Sequence, residues 1–221
     1  MTKALDFTSG YDSRRPPMLG HNAVATSQPL AAQAGMKMLQ LGGNAVDAAI
    51  AAAMALTVVE PTGNGIGSDA FAIVWDGKKL HGLNASGRSP ASWHADLFAG
   101  KTAVPEIGWD AVTVPGAVSG WVALAERFGT LPLTTLAQPA IDYARNGFPV
   151  SPLIGHLWQR GYSKLKDQPG FSACFAPEGR APRVGEIFRN PAQANSLELI
   201  AKTNGDAFYR GELAQKIAAF A

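Results

Sequence analysis

Cys174 is the whole thiol content of the 221-residue chain. One cysteine forms no internal disulfide, so nothing indicates an oxidising compartment. No partner base or family signature surrounds it, and it reads as a non-catalytic thiol. No stretch reaches the roughly 20 strongly apolar residues that a bilayer span needs. The opening run MTKALDFTSGYDSRRPPM has no apolar core of signal-peptide length, and a cytoplasmic protein is the expectation. Charge of one sign is scarce as well. Nineteen basic residues stand against 17 acidic ones, a net charge of +2. That balance is too slight for a nucleic-acid partner, which usually shows a clustered basic face. The four histidines lack ligand-like spacing, so neither a metal nor another cofactor is expected.

What is present suits a globular core. Hydrophobic residues make up 47% of the chain and charged ones 16%. At about 150 residues per domain, the length allows one domain or one and a half. Residues 1–21 read as a flexible N-terminal arm, and 22–221 as one partial domain. NAVAT at 22–26 predicts a short strand.

The densest signal runs from Gln33 to Ser68. Ser27 is the expected cap of a first helix, with Pro29 in its first turn. Leu30, Ala34, Met38 and Leu41 recur at helical spacing. Gly42 and Gly43 suit a left-handed stop. Asn44 then caps a second helix over about 45–58, with Asp47 where the helix dipole favours an anion. That helix, AVDAAIAAAMALTVV, has no polar face and is therefore buried on several sides, with a sheet as its expected neighbour. Pro61, Gly63, Gly65 and Gly67 end it in a turn. A nucleotide loop would need a strand before its glycines and a helix after them, the reverse of this order.

AFAIVW at 70–75 and the run 79–84 are strand-like, and Asp76-Gly77 between them signals a hairpin. Helices set apart from an antiparallel sheet give an α+β class. Further helices are expected over 114–128, 133–146, 151–166, 190–204 and 206–221. Gly129 and Gly147 serve as stops, and Pro139 as a kink or early break. The intervening 167–189 reads as a long loop. His94 and Asp96 are close in sequence but lack nucleophile context, so a surface histidine is expected.

GGNAVDAAIAAAMALTVVEPTGNGIG resembles the N-terminal part of the large subunit of the gamma-glutamyltransferase (gamma-glutamyl transpeptidase) family. So do VPGAVSGWVALAERFGTLPL, QPAIDYARNGFPV and NSLELIAKTNGDAFYRGELAQKIA. The likeness covers roughly 22–221. It implies the N-terminal portion of a four-layer αββα N-terminal-nucleophile hydrolase sandwich, helix-rich in this segment. It implies hydrolysis or transfer of gamma-glutamyl or related dicarboxylic acyl groups through an acyl-threonine. The implied partners are the remainder of the large subunit and a small subunit that self-cleavage opens with the threonine. No residue here matches that threonine, so no catalytic residue is assigned and the chain alone is expected to be inactive. Thr134 and Thr135 precede a helical pattern and are read as capping residues.

The family places an arginine for the substrate's alpha-carboxylate four residues before a proline-alanine pair. Here that position is Ser86, and the arginine is Arg88. By resemblance, Arg88 and Ser86 are the substrate-binding candidates. Residues two apart in an extended segment face one side, which lets Arg88 reach the pocket. A surface arginine in a Gly-Ser loop is the other reading. The shift favours a rival activity, a cephalosporin or glutaryl-type acylase. A rival of another class is a non-catalytic scaffold module.

Overall fold

The computed structural model describes residues 19–221. The expected arm falls almost wholly outside them; Leu19 to His21 carry no regular element. The order is α1 (Pro29–Gln40), α2 (Ala45–Val59), β1 (Ala70–Trp75), β2 (Leu80–Ala85), α3 (Ala117–Phe128) and α4 (Leu133–Asn146). Then come β3 (Phe148–Pro149), α5 (Pro152–Leu165), α6 (Phe171–Phe175), β4 (Ile187–Phe188), α7 (Pro191–Lys202), α8 (Asp206–Tyr209) and α9 (Glu212–Phe220). The class is α+β and helix-rich. Among the described residues no helix is long and apolar enough to cross a membrane.

The core is helical. α2 packs on α1 and α4, and α4 packs in turn on α7. Ile50, Met54, Val59, Leu136, Leu197 and Ile200 are fully buried between them. Small residues allow the close approach: a Cβ on Gly35 of α1 would stand 2.9 Å from the Ala48 carbonyl oxygen of α2. This corrects the expected sheet neighbour. The alanine surface of α2 is spent on helices, and β1 faces its first turns across an open groove of about 620 Å³.

One residue ties α2 to the chain far ahead. The Asn44 side chain caps α2, and the Asp47 carboxylate returns a bond from the Asn44 amide at 2.9 Å. Asp47 also accepts from the Thr130 hydroxyl at 2.6 Å, the Thr130 amide at 3.1 Å and the Leu131 amide at 3.3 Å. It is fully buried. Burial pushes its carboxyl up, but the bonds from the Thr130 hydroxyl and from the Asn44, Thr130 and Leu131 amides outweigh that. The net effect holds it below the ordinary 3.8.

β1 and β2 form the expected hairpin, antiparallel, with Ala70 opposite Ala85 and Trp75 opposite Leu80. Asp76 accepts from the Lys78 and Lys79 amides in the turn. His81 Nε2 donates to Asp76 Oδ2 at 2.7 Å, while Arg127 donates to His81 Nδ1 at 2.9 Å and so braces the hairpin on α3. The bond from His81, with those from the two lysine amides, brings the Asp76 carboxyl down to about 2. The opposite face, with Phe71, Ile73 and Trp75, is exposed.

Several local expectations are corrected. Gln28, not Ser27, caps α1, because its longer side chain reaches the Leu30 and Ala31 amides; Ser27 donates to Glu60 instead. Residues 22–26 form no strand, having no ladder partner among the described residues. α4 continues through Pro139, which is buried, so packing on α2 and α7 offsets the lost bond. The cap position of α4 is Pro132, and neither Thr134 nor Thr135 caps it. The 167–189 loop contains α6 and β4. The last expected helix splits at Gly211, which sits so close to Ala207 that a Cβ would meet its Cα at 2.8 Å.

Candidate substrate-binding cleft

Just after β2 the chain turns at Gly87, whose φ is +79°. A Cβ there would stand 1.9 Å from the Val114 carbonyl oxygen, and one on Gly116 would stand 1.9 Å from that of Ala85. Only glycine permits either approach. Segments 85–88 and 113–116 therefore pass backbone to backbone. The Val114 amide donates to the Arg88 carbonyl at 2.8 Å. The Ser86 amide donates to Asn84 Oδ1 at 2.9 Å. The Ser68 carbonyl accepts from Gly116 and Ala117, which ties the end of the glycine turn to the start of α3.

These segments wall an open cleft of about 550 Å³, lined by Asn84, Ser86, Arg88, Pro115, Ser119 and Tyr209 among others. Arg88 is its only charged lining residue and is exposed; Ser86 is half-buried. Among the described residues Arg88 has no ion-pair partner. A guanidinium so placed can donate two parallel bonds to a carboxylate, with a serine hydroxyl beside it.

Both sequence candidates thus line one cleft, though not for the expected reason. The left-handed Gly87 interrupts the extended alternation between them, and Ser86 and Arg88 both line the cleft. His94 and Asp96 stand 3.7 Å apart, both exposed, as expected for surface groups. Cys174 is exposed on α6. The glycine turn lines a separate apolar cavity of about 230 Å³ with Thr57, Val58, Phe175 and Phe188. Sequence reasoning missed Tyr209, Gly87 and Gly116. The glycines of SGR and VPG were visible signals, whereas nothing local marks Tyr209.

Solved structures carry the same architecture. A cephalosporin acylase from Bacillus halodurans matches with a TM-score of 0.84 and 50% identity, over 95% of this chain and 42% of that one. The fold is that of the helix-rich N-terminal portion of an N-terminal-nucleophile hydrolase. The sequence profile described as Gamma-glutamyltranspeptidase matches residues 31–221, and the chain belongs to that family. A glutathione hydrolase-like YwrD proenzyme of Bacillus subtilis (strain 168) is 41% identical over 88% of this chain and 38% of its own length. An oxamate amidohydrolase proenzyme of Klebsiella pneumoniae is 37% identical over 90% of this chain and 39% of its own. The chain thus spans well under half the length of these relatives.

Proposed function

We propose that this chain is the Arg88-bearing part of a processed amide hydrolase or transferase. Its substrates are amides whose acyl group carries a free carboxylate: gamma-glutamyl or related dicarboxylic compounds. A threonine, opened as the N-terminus of a second subunit, attacks the amide carbon, and its own amine takes the hydroxyl proton. That proton passes to the substrate nitrogen, the amide C–N bond breaks and the substrate's amine leaves; an acyl-threonine remains, and water or another amine then accepts the acyl group. The relatives' designation as proenzymes supports such processing. This chain holds the carboxylate, and the second subunit and the remainder of this one complete the site.

One observation carries the reading: the sole charged side chain in a cleft of about 550 Å³ is an arginine with a serine beside it. The relatives' names agree with it, since glutathione and oxamate are both amides with a carboxylate on the acyl side. A second reading is an acylase of the cephalosporin type. It is favoured by Ser86 at the family's arginine position and by the acylase matched at 50% identity.

The test uses the full-length processed enzyme with gamma-glutamyl and glutaryl anilides. Arg88→Ala is expected to raise KM about 10- to 100-fold for each accepted substrate, the loss of a charge-assisted bond pair. Unaltered KM removes Arg88 from the site. Turnover of the gamma-glutamyl compound alone removes the acylase reading. No turnover of either by a folded, partner-free protein leaves the scaffold module.

A further inference from the structure

The N-terminus of α3 has no cap of its own. Its cap position is Gly116, which has no side chain to offer. The amide of its third residue is nevertheless satisfied from afar: the Ser119 amide donates to the Tyr209 hydroxyl at 2.9 Å. The same hydroxyl donates to the Pro115 carbonyl at 2.8 Å. Proline has no amide hydrogen, so that carbonyl is the only polar group Pro115 brings to the segment. One residue earlier, the Val114 amide holds the Arg88 carbonyl at 2.8 Å.

Tyr209 itself is firmly placed. α8 follows α7 through Gly205, with φ +81°, and the Ala207 amide donates to Thr203 Oγ1 at 3.1 Å. Phe208 is buried beside it. A continuous line therefore runs from core helix α7 through Tyr209 and segment 114–116 to the backbone of Arg88. Tyr209 lines the same cleft as Arg88.

We propose that Tyr209 is a positioning residue for the carboxylate pocket. Its hydroxyl caps α3 and pins Pro115, and so fixes the point from which Arg88 reaches the substrate. Tyr209 sets selectivity for acyl groups with a carboxylate over acyl groups of the same length without one. This rests on the reading of Arg88 given above.

A double-mutant cycle in the full-length processed enzyme tests it. Tyr209→Phe keeps the ring and removes only the hydroxyl. KM for a glutaryl or gamma-glutamyl anilide is expected to rise about fivefold, as for one net hydrogen bond, with kcat within about twofold. Pentanoyl anilide, which has no carboxylate, is expected to be unaffected. In the Arg88→Ala background, Tyr209→Phe is expected to add nothing. Hydrogen exchange of the peptide over 112–120 is expected to speed up, while α4 exchange stays unaltered and shows the fold intact.

An equal Tyr209→Phe effect on both substrates, or the same effect with Arg88 absent, overturns the proposal. The failure of the underlying reading looks different: Arg88→Ala then leaves KM unaltered for the carboxylate substrates. In that event the exchange decides, and unaltered exchange over 112–120 overturns the pinning by Tyr209 as well.

Discussion

In the block of α1, α2, α4 and α7, side chains meet on every side, and the one buried carboxylate takes four protein donors. On the side of the hairpin and the cleft, backbone meets backbone through glycines, and apolar side chains face outward. Ile73 is 77% exposed and Trp75 64%. Arg88, on that side, has no ion-pair partner among the described residues. The first region is closed upon itself, with its polar groups answered internally. The second leaves Arg88 and the apolar face of the hairpin unanswered, as a surface does that must meet something else. On the proposed function, stability and substrate recognition therefore sit in different regions of the chain.

Substitutions can break that division. The largest effect is expected at Asp47. Asp47→Ala strands the Thr130 hydroxyl and three part-buried amides, at a cost of about 4 kcal/mol in a denaturant titration. Next comes the packing itself: Leu136 is fully buried, so Leu136→Ala is expected to cost about 3 kcal/mol. A smaller effect follows from pH. The folded Asp47 carboxyl lies below its ordinary 3.8, so its contribution is fully present above 3.8 and is lost as pH falls from there through the lower folded value. Acid titrations of the wild type and Asp47→Asn are expected to converge once pH has fallen below the lowered value of the folded carboxyl, with the wild type alone losing this increment. The smallest effect is on the open face, where Ile73→Ala is expected to stay within about 0.5 kcal/mol. An Ile73→Ala cost near that of Leu136→Ala would collapse the contrast between the regions.

The same division explains what the sequence could tell. α4 ends at Gly147, the hairpin turns at Asp76-Gly77, and Asn44 caps α2. These are local signals, satisfied within a few residues. The cap on α1 was misjudged because serine is the commoner cap, whereas here the longer Gln28 reaches both amides. NAVAT has strand composition, but composition supplies no ladder partner. Arg88 and Ser86 were singled out as candidates by the resemblance to a known family. Tyr209 was not, because its two bonds span 90 and 94 residues. Asp47 was seen as a helix-start anion, and its larger task, 83 residues away, has no local trace.

The bond from Asp47 to Thr130 also closes a loop, and the chain that carries Ser86 and Arg88 lies wholly inside it. Closing a flexible loop costs free energy that grows only with the logarithm of its length, so doubling it adds about 0.6 kcal/mol. The stretch between the hairpin and α3 can therefore lengthen or shorten with little effect on the helical block. A protein clasped in this way can revise the loop that carries Arg88 while keeping its frame; if that loop holds the substrate as proposed, insertion and deletion, as well as substitution, are routes to a new acyl group.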